Sequence, residues 1–370
     1  MSELKIKKIT EVSKHFQLQG DLVQVLRWGN GHINDTFVLV YQIGRMGRIK
    51  VILQKMNKNV FQKPVELMEN IMGVTNFLYK KIEASGGDPL RETLNVIPSL
   101  DGKPYYLDEE GEYWRAYTYI SDARSFDVPE VLDDFYESAY AFGRFQSMLS
   151  DYPADTLHET IEKFHDTRDR FEKLKRAIEE DVMGRAKEVK EEIAFALARE
   201  EDACFFAKMI DRNEIPLRVT HNDTKLNNIM LDNITRKGVC VVDLDTVMPG
   251  LAVYDFGDSI RSGANTGAED EKDLDKISCD MELFEVYTKG FLAGCGDKLT
   301  EKEIDLLPMG AKIMTYECGI RFLTDYLQGD TYFKIHRPEH NLDRCRTQFK
   351  MVADMEEKWE TMQNIVAKYK

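Results

Sequence analysis

The sequence predicts an α+β protein with two lobes, a small antiparallel β lobe at the N-terminus and a large, mainly helical lobe after it. Short runs rich in Val, Ile and aromatic residues, separated by glycine-bearing turns, fill residues 22–55 and recur at 105–120. Beyond residue 127, apolar residues recur at spacings of three and four, as in amphipathic helices. The exception is a pair of short apolar runs, 229–231 and 239–242, which indicates one hairpin inside the helical lobe.

The N-terminal lobe, residues 1–120, is predicted to contain five strands and one helix. The helix begins at Pro64, where a proline suits the first turn, and continues to about Glu83. We expect the strands at 22–27, 36–41, 48–53, 105–107 and 113–120.

The C-terminal lobe, residues 121–370, follows a polar segment at 120–127 that suits a hinge. Asp133 can cap a helix whose apolar stripe includes Phe135, Ala139 and Phe142. Further helical patterns occupy 160–210, 280–294, 301–327 and 343–368.

Composition restricts the partners and the compartment. The chain has 370 residues, of which 43% are apolar, and its net charge of −15 disfavours nucleic acid and anionic membranes as partners. No stretch approaches the ~20 apolar residues of a membrane span, and the charged N-terminus does not resemble a secretory signal. The six cysteines form no CxxC pair or zinc pattern, so we expect reduced thiols in a cytoplasmic protein.

The segment from Val219 to Asp245 carries the strongest chemical signal. Asp223 stands two residues after His221, Asn228 follows five residues later, and Asp243 ends the second strand of the predicted hairpin. Phosphoryl transfer needs a carboxylate that accepts a hydroxyl proton, together with an Asn and an Asp that hold the metal ions bridging nucleotide phosphates. Lys225 adds a cation that can neutralise charge on the transferred group. The spacing therefore predicts a kinase-type site.

These motifs also carry a family resemblance. HNDTKLNN followed by VVDLD resembles the aminoglycoside phosphotransferase and choline kinase superfamily, whose members share a protein kinase-like two-lobe fold. Three segments, GNGHINDTF, DLDTVMPGLAVYDFGDSIR and RFLTDYLQGDTYFK, resemble the N-acetylhexosamine 1-kinase branch and together span residues 29–334. The metal-loop motif is Asp-Leu-Asp rather than the Asp-Phe-Gly of protein kinases, and no Ala-Pro-Glu segment follows it. Both departures argue against a protein substrate.

The resemblance assigns nucleotide-binding residues to the N-terminal lobe. Gly29, Asn30 and Gly31 lie between the first two strands, where backbone N–H groups can approach phosphates, although Asn-Gly is also a common hairpin turn. Lys55 ends the third strand at the position of the lysine that binds the α- and β-phosphates. We predict that Glu69 of the following helix pairs with it, with Glu66 as the competing partner. The expected cofactors are ATP and Mg²⁺.

The resemblance also proposes residues for the acceptor. His32 and Asp35 lie in and beside the glycine turn, and Arg321 and Tyr332 lie near the C-terminus. Asp258 and Arg261 are further polar candidates, although their spacing of three also suits a helix-surface ion pair. The pattern Lys163 to Thr167 places His165 at the start of a helix rather than in the chemistry.

The resulting hypothesis is an ATP-dependent kinase that phosphorylates the anomeric hydroxyl of an N-acetylhexosamine. The alternatives are a kinase of another small alcohol, such as an aminoglycoside, a choline-like compound or a different sugar, and a catalytically silent kinase-like binding module. The silent module is disfavoured because Asp223, Asn228 and Asp243 are all present. No nucleic acid, membrane or obligate protein partner is expected, only a small sugar substrate.

Overall fold

A computed structural model describes residues 1–28 and 33–370 of the chain. It confirms an α+β architecture with an antiparallel sheet near the N-terminus and a mainly helical remainder. The predictions made for Gly29, Asn30, Gly31 and His32 lie outside the described residues.

The N-terminal lobe is built on a six-stranded antiparallel sheet in the order β1-β2-β3-β6-β4, with β5 also paired to β6. All five strands predicted from the sequence are present, and the two-residue strand β4 was not predicted. The strands are β1 (Asp21–Arg27), β2 (Asp35–Ile43), β3 (Gly47–Lys55), β4 (Val96–Ile97), β5 (Tyr106–Leu107) and β6 (Tyr113–Thr118).

Helices cover both faces of this sheet. The helices of the lobe are α1 (Glu3–Ser13), α2 (Pro64–Ala84) and α3 (Pro89–Glu92). Helix α1, which the sequence did not predict, packs through Ile9 and Val12 against the face that carries Phe37 and Leu53. Helix α2 belongs to the cluster that contains Ile52 and Tyr117 on the opposite face. Because side chains alternate between faces along a strand, the two helices divide the sheet residues into two sets.

The C-terminal lobe begins with β7 (Ala123–Arg124) and is otherwise mainly helical. The first helix begins at Leu132, and Asp134 rather than the predicted Asp133 accepts hydrogen bonds from the N–H groups that precede it, those of Glu130 and Val131. The helices are α4 (Leu132–Met148), α5 (Thr167–Glu180), α6 (Lys190–Leu197), α7 (Glu200–Asp211), α8 (Ala252–Gly263), α9 (Met281–Cys295), α10 (Glu301–Asp305), α11 (Leu307–Leu327), α12 (His340–Glu357) and α13 (Trp359–Tyr369).

Two small antiparallel sheets in this lobe bring distant loops together. The predicted hairpin is confirmed as β9 (Ile229–Asp232) and β10 (Gly238–Val241), with β7 paired to the outer side of β9. Strand β8 (Arg218–Thr220) pairs with β11 (Met248–Gly250), so that Thr220 lies opposite Met248. The segment that follows β8 and the segment that precedes β11 therefore lie side by side. They carry Asp223 and Asp243 respectively.

Helix α8 packs closely against α11 because small residues face each other where the two helices cross. A Cβ atom on Gly257 would lie 2.3 Å from the carbonyl oxygen of Gly310, so no larger residue fits at this crossing. The described helices include none with the length and apolar character needed to cross a membrane.

Candidate active site

The loop between β8 and β9 carries the carboxylate predicted to be the base. Oδ1 of Asp223 lies 2.7 Å from Nζ of Lys225. Asn228 donates from Nδ2 to the backbone oxygen of Asp223 at 2.7 Å, and the same amide lies 3.3 Å from Oδ2. The negative charge of Asp223 raises the pKa of Lys225. The structure thus brings together three of the residues that the sequence assigned to one site.

Asp255 of α8, which the sequence reasoning did not select, fixes the backbone of this loop. Its two carboxylate oxygens accept the N–H groups of His221 at 2.9 Å and Asn222 at 2.8 Å. Gln146 of α4 also donates to it, at 2.6 Å. Burial raises the pKa of Asp255, while the two backbone N–H groups and Gln146 oppose the rise. One buried carboxylate therefore orients the chain immediately before Asp223.

His221 connects this loop to the metal loop, which we define as residues 243–247. Its Nε2 donates to the carbonyl oxygen of Val242 at 2.9 Å, since a carbonyl can only accept. Its Nδ1 is then free to accept the N–H of Asp223 at 3.3 Å. Asp243 follows in the left-handed conformation with φ of 59°, which β-branched residues avoid and Asp tolerates. The backbone that carries Asp243 is thereby held beside the loop that carries Asp223.

Negative charge accumulates around Asp243. Displacement of water by the surrounding protein raises the pKa of Asp243 to about 7. The carboxylates of Asp245 and Asp223 raise it as well, and Arg115 opposes them. The residue nevertheless remains open to solvent, so part of this effect is screened by water. A carboxylate that is crowded by others and reachable from solvent fits a cation.

The donor atoms fit Mg²⁺ rather than a metal that needs a complete protein cage. Within residues 1–28 and 33–370, no three acidic, imidazole or thiol groups are arranged to hold a metal ion by themselves. The amide oxygen of Asn228 and the carboxylate of Asp243 are hard oxygen donors, and Mg²⁺ commonly takes one or two protein ligands and completes its shell with water and substrate phosphates. These two residues would hold the metal when nucleotide is bound.

Asp245 and Arg115 form a buried ion pair beside the metal loop. The guanidinium of Arg115 on β6 makes a two-pronged contact with the carboxylate, with Nη2 3.0 Å from Oδ2. Asn34, immediately before β2, donates to Oδ2 at 2.7 Å. The sequence reasoning selected none of these three residues. The candidate site is therefore attached to the N-terminal lobe by the side chains of Asn34 and Arg115, neither of which was predicted as a site residue.

The predicted pair between Lys55 and Glu69 is not formed. Nζ of Lys55 lies 3.4 Å from Glu112, whereas Glu69 lies 2.7 Å from Nε2 of His158. Lys55 is opposite Asp35 and Trp114 in the strand register, which places its side chain on the sheet face that packs on α1. The competing partner, Glu66, lies 3.4 Å from Lys63. Whether Lys55 or Glu69 binds nucleotide stays a prediction.

Asp35, predicted to contact the acceptor, is on this same α1 face. Its carboxylate lies 3.3 Å from Nζ of Lys5 in α1 and 3.9 Å from Arg27. The neighbouring residue Asn34 instead reaches the metal loop. Since adjacent strand residues point in opposite directions, only one of the two can do so. His32, the other candidate in this segment, is not among the described residues.

Arg321 and Tyr332, predicted to bind the acceptor, are brought together by the structure. Although burial lowers the pKa of Arg321, Glu317 and the neighbouring Tyr332 raise it above its ordinary value. The guanidinium also lies over the rings of Phe164, at 5.7 Å, and Phe333, at 5.5 Å. Tyr332 is 67% exposed, so a ligand can reach it.

His165 connects the Arg321 cluster to the catalytic loop. Its Nδ1 lies 2.8 Å from Glu317 and its Nε2 lies 3.0 Å from the carbonyl oxygen of Asn222. As predicted, His165 precedes a helix, α5, which begins at Thr167. It also has a second role that the sequence did not reveal, because it connects the residue before Asp223 to Glu317, which lies four residues before Arg321 on α11.

Asp258 and Arg261 form an ion pair, but it is buried rather than on the helix surface. Nε of Arg261 lies 2.8 Å from Oδ1 of Asp258, and both side chains are 8% exposed. The other oxygen of Asp258 accepts the N–H of Thr224 at 3.0 Å. The pair therefore supports the loop that carries Asp223 and Lys225.

The model of the phosphotransferase enzyme family (APH) matches residues 99–280 of this chain. The match begins before β6 and ends at the start of α9. It therefore includes Arg115, Asp223, Asn228, Asp243 and Asp255.

Solved structures of small-molecule kinases have the same overall fold. A microcompartment-associated aminopropanol kinase superposes with a TM-score of 0.56 at 14% identity, covering 97% of this chain and 98% of its own. Choline kinase from Cryptosporidium parvum Iowa II gives a TM-score of 0.57 at 14% identity, covering 98% and 97%. A spectinomycin phosphotransferase in complex with ADP and spectinomycin gives 0.54 at 11% identity, covering 98% and 97%. At these identities the likeness concerns the fold, which is that of two-lobed phosphotransferases.

Proposed function

We propose that this chain, whose residues 99–280 match the phosphotransferase enzyme family (APH), is a small-molecule kinase that transfers the γ-phosphoryl group of ATP to the anomeric hydroxyl of an N-acetylhexosamine. The observation that carries the proposed chemistry is the contact of Asp223 with Lys225 and Asn228. The same loop is joined to the residue before Asp243 by the hydrogen bond from His221 to Val242. The products are the sugar 1-phosphate and ADP.

Asp223 is the proton acceptor in this proposal. Its carboxylate takes the proton of the attacking hydroxyl as the new oxygen–phosphorus bond forms. Lys225 holds one carboxylate oxygen, at 2.7 Å, and offers a positive charge beside the group being transferred. Because Asp255 orients the two residues before Asp223, the base is held in one direction before substrate arrives.

ATP and Mg²⁺ are the proposed cofactors. Asn228 and Asp243 would hold the metal, which when bound neutralises charge on the phosphates. The proposed nucleotide contacts are Gly29, Asn30 and Gly31. Lys55 and Glu69 were also predicted from the sequence, but Lys55 lies beside Glu112 and Glu69 beside His158, so their part in nucleotide binding is left to the Lys55→Ala experiment. The spectinomycin phosphotransferase of similar fold was solved with ADP, which supports an adenine nucleotide.

The charges near the catalytic loop favour a neutral sugar over an amine as acceptor. Arg170 of α5 lies close enough to Arg321 that its pKa is lowered, chiefly by burial and then by the charge of Arg321. A choline-like acceptor would need an aromatic cage free of such cations, and an aminoglycoside would need an excess of carboxylates. An acetamido group offers one N–H and one C=O, which Arg321 and Tyr332 can pair. His32 completes the proposed acceptor set, and Asp35, held by Lys5, is its weakest member.

A kinase of another small alcohol is the second candidate. The similar folds of an aminopropanol kinase and a choline kinase favour it, and the same base and metal residues would serve. A catalytically silent module is not favoured, because Asp223, Asn228 and Asp243 are all present and Asp223 contacts both Asn228 and Lys225.

The test is an ATP-consumption screen with the purified protein. N-acetylglucosamine, N-acetylgalactosamine, their plain hexoses, kanamycin, choline and 1-amino-2-propanol are offered separately with MgATP. The proposal expects ADP release with at least one N-acetylhexosamine and at least ten-fold less with the matching hexose, since an unpaired buried polar group costs about 1–3 kcal/mol. Ready turnover of amines with no turnover of any N-acetylhexosamine would leave the kinase chemistry and remove the sugar assignment.

A further inference from the structure

The metal loop is held by three side chains of the N-terminal lobe. Asn34 and Arg115 both bond the carboxylate of Asp245. Asn70 of α2 donates from Nδ2 to the carbonyl oxygen of Val247 at 3.0 Å. The loop that would position the metal is therefore attached at two points, two residues apart.

Asn70 also fixes helix α2 to the C-terminal lobe. Its Nδ2 donates to the carbonyl oxygen of His158 at 2.8 Å, and its Oδ1 accepts the N–H of His158 at 2.8 Å. The residue is 3% exposed. Helix α2 is thus joined to the segment between α4 and α5 and to the metal loop by one amide, without the predicted pair between Lys55 and Glu69.

Arg115 lies at the centre of this connection. Its side chain is 2% exposed and points from β6 to the sheet face opposite Lys55, since it neighbours Trp114 of the α1 face. Besides its two-pronged contact with Asp245, its Nε donates to Oε1 of Gln54 on β3 at 2.9 Å. Gln54 in turn donates to Thr36 of β2 at 3.0 Å. Three strands are therefore connected to the metal loop through one guanidinium.

We propose that Arg115 is a positioning residue for phosphoryl transfer. It holds Asp245 against the N-terminal sheet so that Asp243, two residues earlier, presents its carboxylate to the metal and nucleotide. A strand arginine thus performs the connecting task that the sequence had assigned to Lys55 and Glu69. This inference rests on the proposed function, because it concerns the same metal and nucleotide.

A purely structural role is the competing explanation. Buried ion pairs are weak contributors to stability, because the loss of hydration offsets the attraction between the charges. Stability alone therefore gives little reason for an arginine at this position. A positioning role predicts changes in metal-dependent nucleotide binding that a structural role does not.

The experiment compares Arg115→Lys with a matched control, Arg199→Lys. Lysine keeps the charge but cannot make the two-pronged contact. Arg199 makes the same kind of contact with Glu356, at 3.0 and 2.7 Å, and it lies on the segment between α6 and α7. Calorimetry measures ADP and ATP binding at several Mg²⁺ concentrations, which needs no acceptor.

We expect Arg115→Lys to raise the Mg²⁺ concentration needed for half-maximal nucleotide binding by at least five-fold. It should also lower kcat at least ten-fold with the acceptor KM unchanged. Arg199→Lys should stay within two-fold of the wild type in each quantity. Wild-type Mg²⁺ dependence and kcat in folded Arg115→Lys would overturn the proposal.

A second variant separates positioning from folding. Arg115→Met combined with Asp245→Leu removes both buried charges at similar volume, a replacement that other proteins tolerate well. We expect this double variant to unfold cooperatively with a Tm near that of the wild type and still to show the raised Mg²⁺ requirement. A folded double variant with wild-type Mg²⁺-dependent nucleotide binding would contradict the positioning role.

The failure of this inference can be told from a failure of the proposed function. If wild-type protein binds MgATP but transfers phosphate to no acceptor of the panel, the function fails. The Mg²⁺ dependence of nucleotide binding still decides the role of Arg115. If the wild type phosphorylates a sugar and the Arg115 variants do so equally well, the function stands and the positioning role is overturned.

Discussion

Nζ of Lys225 lies 2.7 Å from Oδ1 of Asp223, so the cation and the base predicted two residues apart are in direct contact. The other oxygen, Oδ2, lies 3.3 Å from the amide of Asn228. Both oxygens of the carboxylate are therefore held by groups that belong to the same short segment. The side-chain contacts of Asp223 are therefore local, whereas the backbone before it is fixed by Asp255 of α8.

Asp223→Asn should leave MgATP affinity within a few-fold of the wild type and lower kcat by about 10²–10⁴. The hydroxyl of the acceptor loses its proton acceptor, whereas the metal and phosphate contacts remain. Steady-state kinetics and calorimetry measure the two effects separately. The control is Asp211→Asn, an exposed carboxylate that pairs with Arg168. A kcat within ten-fold of the wild type, a barrier change of about 1.4 kcal/mol or less, would remove Asp223 from this role.

Lys55→Ala decides between two predictions for Lys55, one from the sequence motif and one from the strand register. The motif predicts a raised KM for ATP, because the lysine would bind the phosphates. The register places Lys55 on the α1 face with Glu112 at 3.4 Å, and we therefore expect a change in the KM for ATP of less than three-fold. Lys58→Ala, which removes the other cation near Glu112, is the control. A rise of more than ten-fold with Lys55→Ala alone would support the motif and require the side chain to reorient when ATP binds.

Tyr332→Phe should raise the KM of the acceptor by about ten-fold or less and leave the KM for ATP unchanged. The substitution removes a single hydroxyl, and one hydrogen bond contributes about 0.5–1.5 kcal/mol. Tyr332 is 67% exposed, so the fold should tolerate the change. Tyr140→Phe, on α4, is the matched control. Equal KM values for the acceptor in both variants would move the acceptor away from Tyr332.

Glu317→Gln should destabilise the protein at neutral pH by about 1–3 kcal/mol, because hydrogen bonds to a charged group are lost. Although burial alone would raise the pKa of Glu317, His165 and Arg321 hold it below the ordinary value of 4.5. A lowered pKa means that the ionised group stabilises the fold above about pH 4.5 and that this stabilisation is lost as the pH falls through the lower, folded value.

Urea unfolding of the wild type and Glu317→Gln over a range of pH tests this sign. The difference in free energy of unfolding should be largest at neutral pH and should shrink below pH 4.5. The exposed residue Glu179 of α5 supplies the control Glu179→Gln, which should change little. A difference that grows as the pH falls would mean that Glu317 is protonated in the folded protein.

The elements that follow from local pattern were predicted well. Strands β1, β2, β3 and β6, helix α2, and the hairpin of β9 and β10 each have a period that the sequence displays. The motif from Asp223 to Asp243 was also predicted because its residues lie within a single supersecondary unit. Helix α1 was missed, since its buried residues Ile9 and Val12 are few among charged neighbours.

The residues that hold the site in place could not be predicted by the same means. Arg115 and Asp245 are separated by 130 positions, and no local spacing relates them. Their signal is compositional: Arg115 interrupts the aromatic strand YWRAYTYI, and Asp255 interrupts the apolar run LAVYDF. A charged residue in such surroundings is buried only when paired, so it marks a position that needs a partner. The sequence cannot say which partner.

The pairing of Lys55 failed for a geometric reason. Motif position places the lysine at the end of the third strand, but one residue along a strand changes the face that a side chain occupies. Gln54, not Lys55, shares the face of Arg115. A spacing argument that is one residue out of phase therefore reverses the environment.

The most direct test of the sugar 1-kinase assignment is the identity of the phosphorylated product. Wild-type protein, MgATP and N-acetylglucosamine or N-acetylgalactosamine are incubated together, and the product is analysed by ³¹P NMR and by a reducing-end assay. We expect a phosphorus signal coupled to the anomeric proton, ADP in equal amount, and loss of reducing-end reactivity. None of these three results should appear with Asp223→Asn under the same conditions. A 6-phosphate that remains reducing, or no sugar-dependent ADP from either sugar, would rule out the sugar 1-kinase assignment.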